Sequence, residues 1–187
     1  MGDKPPGLWQ GRVTMHQLLL LRHAKAASAD AAMTDRDRPL TPGGRRAAHT
    51  MRRAMRDLGL APDLILVSSA KRTLETLAVL EPWDDTPLVD TIDDLYLASD
   101  ARWLSALRGV AETVRTVLAI GHNPGLHELA LGLTDPRISA DAAARSLEDE
   151  FPTAGLAEFS IAGPWSRLDR AGGRLIRFLT PRAVDPS

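Results

Sequence analysis

Gln17-Leu18-Leu19-Leu20-Leu21-Arg22-His23 is the stretch on which the fold turns. Four consecutive leucines leave no polar face, as expected of a central strand covered on both sides. The abrupt change to Arg22-His23 then puts a cation and an imidazole at the strand's carboxyl end. Residues 24–40 are small and polar and read as a loop. Thr41-Pro42 follows as a helix start, with a threonine cap and proline in the first turn. Ala47, Ala48, Met51, Ala54, Met55 and Leu58 recur at helical spacing up to a Gly59 stop, with Arg45, Arg46, His49, Arg52, Arg53 and Arg56 on the other face.

The same alternation continues along the chain. Asp63 to Val67 reads as a strand, with Ser68 and Ser69 as caps of a helix to about Leu80. Ser99-Asp100 opens a helix carrying Trp103, Leu104 and Leu107. Val114 to Ile120 is a third strand, ending at Gly121-His122-Asn123-Pro124, where asparagine and proline start another helix. A helix from Asp141 to about Glu150 and strands near Leu156–Ile161 and Arg174–Leu179 complete the pattern. Strands alternating with helices imply an α/β fold: a single three-layer α/β/α domain with a mainly parallel central sheet. Its expected bounds are 15–187, preceded by a flexible Pro- and Gly-rich extension over residues 1–14.

Bulk properties narrow the function classes. The 187 residues are 44% hydrophobic and 25% charged, as in a globular domain. A net charge of −1 provides no general attraction to nucleic acid or anionic lipid. With no cysteine there is no thiol nucleophile, disulfide or thiolate zinc site. Four-residue apolar runs cannot cross a bilayer, and no signal-peptide core is visible at the start. The expectation is a cytoplasmic protein that binds neither nucleic acid nor membrane. No His/Asp/Glu group has metal-ligand spacing, so neither a metal nor a cofactor is expected. His16, His49 and His127 read as terminus, basic solvent face and helix surface. Trp9, Trp83, Trp103 and Trp165 read as packing or edge residues.

In parallel sheets, ligands bind beyond the carboxyl ends of the strands. Three polar clusters fall there: Arg22-His23, Ser68-Ser69-Ala70-Lys71-Arg72, and Gly121-His122-Asn123. Two arginines and two histidines would converge on one crevice. Phosphoryl oxygens carry charge that planar guanidinium groups bind through paired hydrogen bonds, and a histidine nitrogen can attack phosphorus.

Leu21-Arg22-His23-Ala24-Lys25 resembles the Arg-His-Gly signature of the histidine phosphatase superfamily, with alanine in place of the glycine. Pro39-Leu40-Thr41-Pro42-Gly43-Gly44 is similar to the segment that follows in that family. Ser68 to Thr76 resembles its Ser-x-x-x-Arg-x-x-x-Thr helix, and Gly121-His122-Asn123-Pro124 its second-histidine turn. The Arg-His-Ala-Lys form, Leu95-Tyr96-Leu97-Ala98 and the compact length look most like its SixA phosphohistidine phosphatase branch. The resemblance implies a phosphatase with His23 as nucleophile, His122 as a second catalytic histidine, and Arg22 and Arg72 as phosphate clamps. Thr153, in a Pro152-Thr153 turn like a late family loop, is implied as a further phosphate contact.

The nucleophile must be neutral, and an imidazole with a pKa of about 6.5 mostly is at pH 7. Nearby arginines would push it further that way. One departure stands out. Larger members of the family use a carboxylic acid to protonate an alkoxide, whereas here only Asp93, Asp94, Asp30, Asp35 and Asp37 are near enough to consider. A phosphoramidate lessens that need, because protonated phosphohistidine leaves as neutral imidazole. The substrate implied is a phosphohistidine on a protein. A small phosphate ester of a nucleotide or sugar is the alternative, and a phosphate-binding module without turnover is the non-enzyme reading.

Overall fold

The computed structural model describes residues 15–29, 33–135, 137 and 142–185. The extension expected over residues 1–14 lies outside the described residues, as does Asp30.

Strand β1, Met15–Arg22, is the hinge of the architecture. It pairs in parallel with β4 (Thr116–Gly121) on one side and antiparallel with β5 (Leu156–Ala162) on the other. With β2 (Leu64–Ser68), β3 (Leu88–Ile92) and β6 (Gly173–Leu179), the sheet runs β3-β2-β4-β1-β5-β6. Strands β1 to β4 are mutually parallel, and β5 lies antiparallel to both of its neighbours. The expected mainly parallel α/β sheet is therefore present.

The four leucines split between two cores, because successive side chains of a strand point to opposite faces. Leu18 and Leu20 pack with Trp103, Leu129, Phe159 and Trp165. Leu19 and Leu21 pack with Met51, Met55, Leu77 and Leu80. Helices α1 (Pro42–Asp57) and α2 (Lys71–Leu80) cover the second face. Helices α3 (Asp100–Arg108), α4 (Gly125–Leu133) and α5 (Ala142–Asp149) cover the first. A short helix, α6 (Pro181–Val184), packs against α1. All four leucines are fully buried, each gaining about 1.5–3 kcal/mol over exposure.

Several local expectations change. Strand β3 is an addition between α2 and α3. Its burial is slight throughout, so it has neither an apolar run nor an alternating face to announce it. Helix α2 is capped by Ala70 without a side-chain bond, not by Ser68 or Ser69. Those serines have other partners: Ser68 bonds His122 and Ser69 bonds Arg36. His16 is buried rather than a solvated terminus, and its ring meets the Val114 carbonyl and Glu112. His127 is tied to the Leu147 carbonyl rather than free on a helix surface. His49 is exposed, as expected.

Candidate active site

Sheet register brings the three clusters together. Arg22 pairs with Gly121 across β1 and β4, so His23 and His122 each follow the same rung. Val67 pairs with Ile120, which sets Ser68 beside that rung from the other side. The His23 amide donates to the Gly121 carbonyl at 3.0 Å, and the two imidazole rings lie 5.2 Å apart.

The orientation of His23 is fixed by the main chain. Its Nδ1 lies 2.8 Å from the Ala24 carbonyl oxygen. A carbonyl only accepts, so Nδ1 carries the proton and Nε2 keeps its lone pair. Ala24 is held in turn, its amide donating to Thr76 Oγ1 at 3.0 Å, and that hydroxyl donates to the Arg72 carbonyl at 2.6 Å. Burial pushes the His23 pKa down to about 4; the Ala24 carbonyl opposes this, while Arg72, Arg22 and Arg38 add to it. The ring is neutral at pH 7, as a nucleophile requires.

His122 is almost fully buried, with Nε2 2.8 Å from the Ser68 hydroxyl. Its Nδ1 is buried and has no protein partner. Burial pushes its pKa down to about 3, with His23 and Arg72 acting in the same direction. Tyr96 stands edge-on to this ring at 5.5 Å.

The arginines are anchored differently. Arg22 donates to the Phe151 carbonyl at 2.8 Å, and the same oxygen accepts from Asn123 at 3.0 Å. Burial lowers the Arg22 pKa, against the pull of Glu150. Arg72 is 3% exposed. It donates to the Asp35 carbonyl at 2.6 Å and to the Asp35 carboxylate at 3.1 Å. Two of five guanidinium donors are thereby used, leaving three for an anion. Thr153 is half-buried in the turn behind β1, where the Ala154 amide donates to the carbonyls of both Arg22 and His23 at 3.1 Å. The structure thus gathers His23, His122, Arg22 and Arg72, and puts Thr153 on the turn that backs them.

The carboxylates considered as proton donors sort themselves. Asp93 is exposed and pairs with Arg36, and hydrogen bonding from Ser69 lowers its pKa. Asp94 pairs with Arg102 at 2.6 Å. Asp37 accepts from Thr34 at 2.6 Å. Asp35 accepts from the Tyr96 hydroxyl at 2.6 Å, from Arg38 at 2.7 Å and from Arg72, which hold it far below the usual carboxylate range. These donors favour its anion, the wrong form for a proton donor. Sequence offers Asp35 only as a proton-donor candidate, Ser68 as a helix cap within the Ser-x-x-x-Arg motif and Tyr96 as part of a family-like stretch, none of them as a partner of Arg72 or His122. Nothing local signals that the 3-10 turn Asp35–Asp37 reaches Arg72.

Two arginines, a neutral imidazole with a free lone pair and a second buried imidazole come together here, a set whose chemistry can bind an anion and attack it. Residues 18–96 match the model of the histidine phosphatase superfamily (branch 1). The Mycobacterium tuberculosis protein Rv1276c is 33% identical over 162 residues, covering 87% of this chain and 100% of that protein. The provisionally assigned phosphohistidine phosphatase SixA of Nakamurella multipartitia superposes with a TM-score of 0.78 at 32% identity, covering 89% of this chain and 96% of that one. Its provisionally assigned counterpart from Agrobacterium tumefaciens gives 0.73 at 30% identity, with 89% and 98% covered. The chain belongs to the histidine phosphatase superfamily, SixA type, and is a phosphatase.

Proposed function

We propose that this protein removes phosphoryl groups from phosphohistidine on proteins, carrying the phosphoryl covalently on His23. The observation that carries the reading is the His23 tautomer: Nδ1–H is committed to Ala24, and Nε2 is left as a lone pair beside two arginines. In the first step Nε2 attacks phosphorus, and the electron pair of the breaking bond stays on the leaving atom. Arg22 and Arg72 bind the equatorial oxygens, and His122 Nδ1 supplies a third donor. Thr153, on the turn whose Ala154 amide donates to the Arg22 and His23 carbonyls, would add a minor contact. In the second step water attacks phosphorus, the pair returns to Nε2, and dihydrogen phosphate leaves. The imidazole keeps its Nδ1 proton throughout, so no external base is needed to reset it.

The choice of leaving group follows from the carboxylates. Asp35, the described carboxylate bonded to Arg72, is held as the anion and has no proton to give, so an alkoxide would depart without help from it. An imidazole protonated on its distal nitrogen departs neutral and needs none. The SixA naming of the similar structures supports the same substrate. The location expected for such an enzyme is the cytoplasm, and no described helix is long and apolar enough to cross a membrane.

The test is a panel on one preparation: a phosphohistidine protein, sugar phosphates and nucleotides. The phosphohistidine protein should give the highest kcat/KM. His23→Ala should abolish turnover, and rapid quenching of the parent should trap acid-labile phosphate on His23. Better turnover of a sugar phosphate, with no phosphoramidase activity, would move the protein to small-molecule substrates. Anion binding without any turnover would leave a binding module.

A further inference from the structure

Asp35 has an unusual station for an anion in a phosphate site. Among the described residues it is the one carboxylate hydrogen-bonded to any of Arg22, His23, Arg72 and His122. Its side chain is 45% exposed, whereas that of Arg72 beneath it is 4% exposed. The carboxylate therefore stands outward of the guanidinium, toward solvent. Its position is over-determined: Arg38 holds one oxygen, and Tyr96 and Arg72 hold the other. Tyr96 is itself braced against His122 and lies under the Arg36 and Arg72 guanidinium groups. A fixed negative charge beside a site that must attract a dianion works against binding. Such a group is informative about what else enters.

Displacement at phosphorus runs in line, so the leaving group lies opposite His23 Nε2. Arg72 and His122 are buried, whereas the Asp35 carboxylate that binds Arg72 and Tyr96 is 45% exposed. A leaving group carried on a protein has to enter from the exposed side, to which Asp35 belongs. A charged acceptor there rewards a leaving group that presents an N–H and penalises one that presents only oxygen lone pairs.

We propose that Asp35 is a specificity-determining residue, whose carboxylate accepts the distal N–H of a departing imidazole and so favours phosphoramidates over phosphate esters. This rests on the phosphohistidine reading above. The step balances without a proton transfer. The substrate ring is cationic, with phosphorus on one nitrogen and hydrogen on the other. As the P–N bond breaks, its electron pair stays on that nitrogen and the ring becomes neutral imidazole. The N–H facing Asp35 stays attached from start to finish. Asp35 favours the protonated, breakable form of the substrate by charge, while Arg72 and Arg22 hold the transferred oxygens.

The test compares Asp35→Asn with the parent on two probes: a phosphohistidine peptide and p-nitrophenyl phosphate, whose phenolate leaves without a proton. Asparagine keeps the shape and removes the charge. Since charge-assisted bonds are roughly twice as strong as neutral ones, the ratio of kcat/KM values, peptide over ester, should fall about tenfold. Tyr96→Phe, which removes a hydroxyl and keeps the ring, should move the ratio the same way by less. It carries the test if Asp35→Asn fails to fold. An equal fall on both probes would mean that Asp35 merely positions Arg72, and the specificity role is then lost. An unchanged ratio in both variants overturns it as well. If the parent itself turns over the ester and not the peptide, the phosphohistidine reading has failed first, and this inference with it.

Discussion

A neutral imidazole carries one proton, and in His23 the Ala24 carbonyl fixes it on Nδ1. Burial then keeps the ring from taking a second, down to a pKa of about 4 for His23 and about 3 for His122. Both values lie below the unfolded value of about 6.5, so the unfolded chain binds more protons as the pH falls below that value. Stability from these rings is fully present above about pH 6.5 and is lost as pH falls toward the folded values. Nitrogen-15 NMR titration of the ring nitrogens should find both histidines neutral down to about pH 5, with the His23 proton on Nδ1. A neutral His23 ring protonated on Nε2 would remove the nucleophile from the mechanism, whereas rings that titrate at about 6.5 would show that burial does not depress them. Arg72 allows a second measurement at this scale. Its replacement by alanine removes a preorganised donor pair, which should cost about 2.7–4 kcal/mol of transition-state stabilisation. Steady-state kinetics should show that loss mainly in kcat, with the protein's denaturant midpoint little changed.

Elements position these residues through contacts that tolerate little added volume. Helix α1 begins against the loop after β1: the Thr41 amide and hydroxyl both donate to the Lys25 carbonyl, and Thr41 Oγ1 accepts from the Gly44 amide at 2.9 Å. A Cβ on Gly44 would lie 2.1 Å from the Lys25 carbonyl oxygen, whereas one on Gly43 would meet nothing closer than 3.7 Å. Gly44→Ala should therefore push helix and loop apart, destabilise by about 1–3 kcal/mol and lower kcat/KM. Its neighbour Gly43→Ala should stabilise by roughly 0.4–1 kcal/mol, by restricting the unfolded chain, and leave activity intact. Equal effects from the two substitutions, measured by chemical denaturation, would refute this packing account. The same scale explains what was legible beforehand. Strands β1, β2 and β4 announce themselves because buried central strands must be apolar on both faces. Strand β3 does not, because Leu88-Val89-Asp90-Thr91-Ile92 lies at the sheet's edge with little burial to select its residues. His23, His122, Arg22 and Arg72 were legible as strand-end and motif residues. The Asp35–Arg72 contact was not, since it joins residues 37 positions apart and depends on how a loop crosses the crevice.

In the proposed mechanism the whole molecule serves one anion with segments reaching from Arg22 to Thr153, and the charge balance of that proposed site bears on metal dependence. There a phosphoryl dianion would be met by two guanidinium cations and by imidazole donors, which can neutralise its oxygens as a divalent cation would elsewhere. A magnesium ion would instead need one or two free carboxylates beside the phosphate. Asp35, the carboxylate closest to that role, is already committed to three donors. Asp93 and Asp94 are paired with arginines, and no described group of three or more His, Cys, Asp or Glu residues could hold a metal. Recruiting Asp35 to a cation would also release Arg72 from the contacts that fix it, giving up one charge partner for another. Turnover should therefore persist in excess EDTA, with added magnesium changing kcat/KM by less than about twofold, well within one 1.4 kcal/mol decade. Loss of activity in the chelator, restored by magnesium and by no change in ionic strength, would show that the arginines do not suffice. The phosphoryl transfer would then have to be rebuilt around a cation that displaces Asp35 from Arg72.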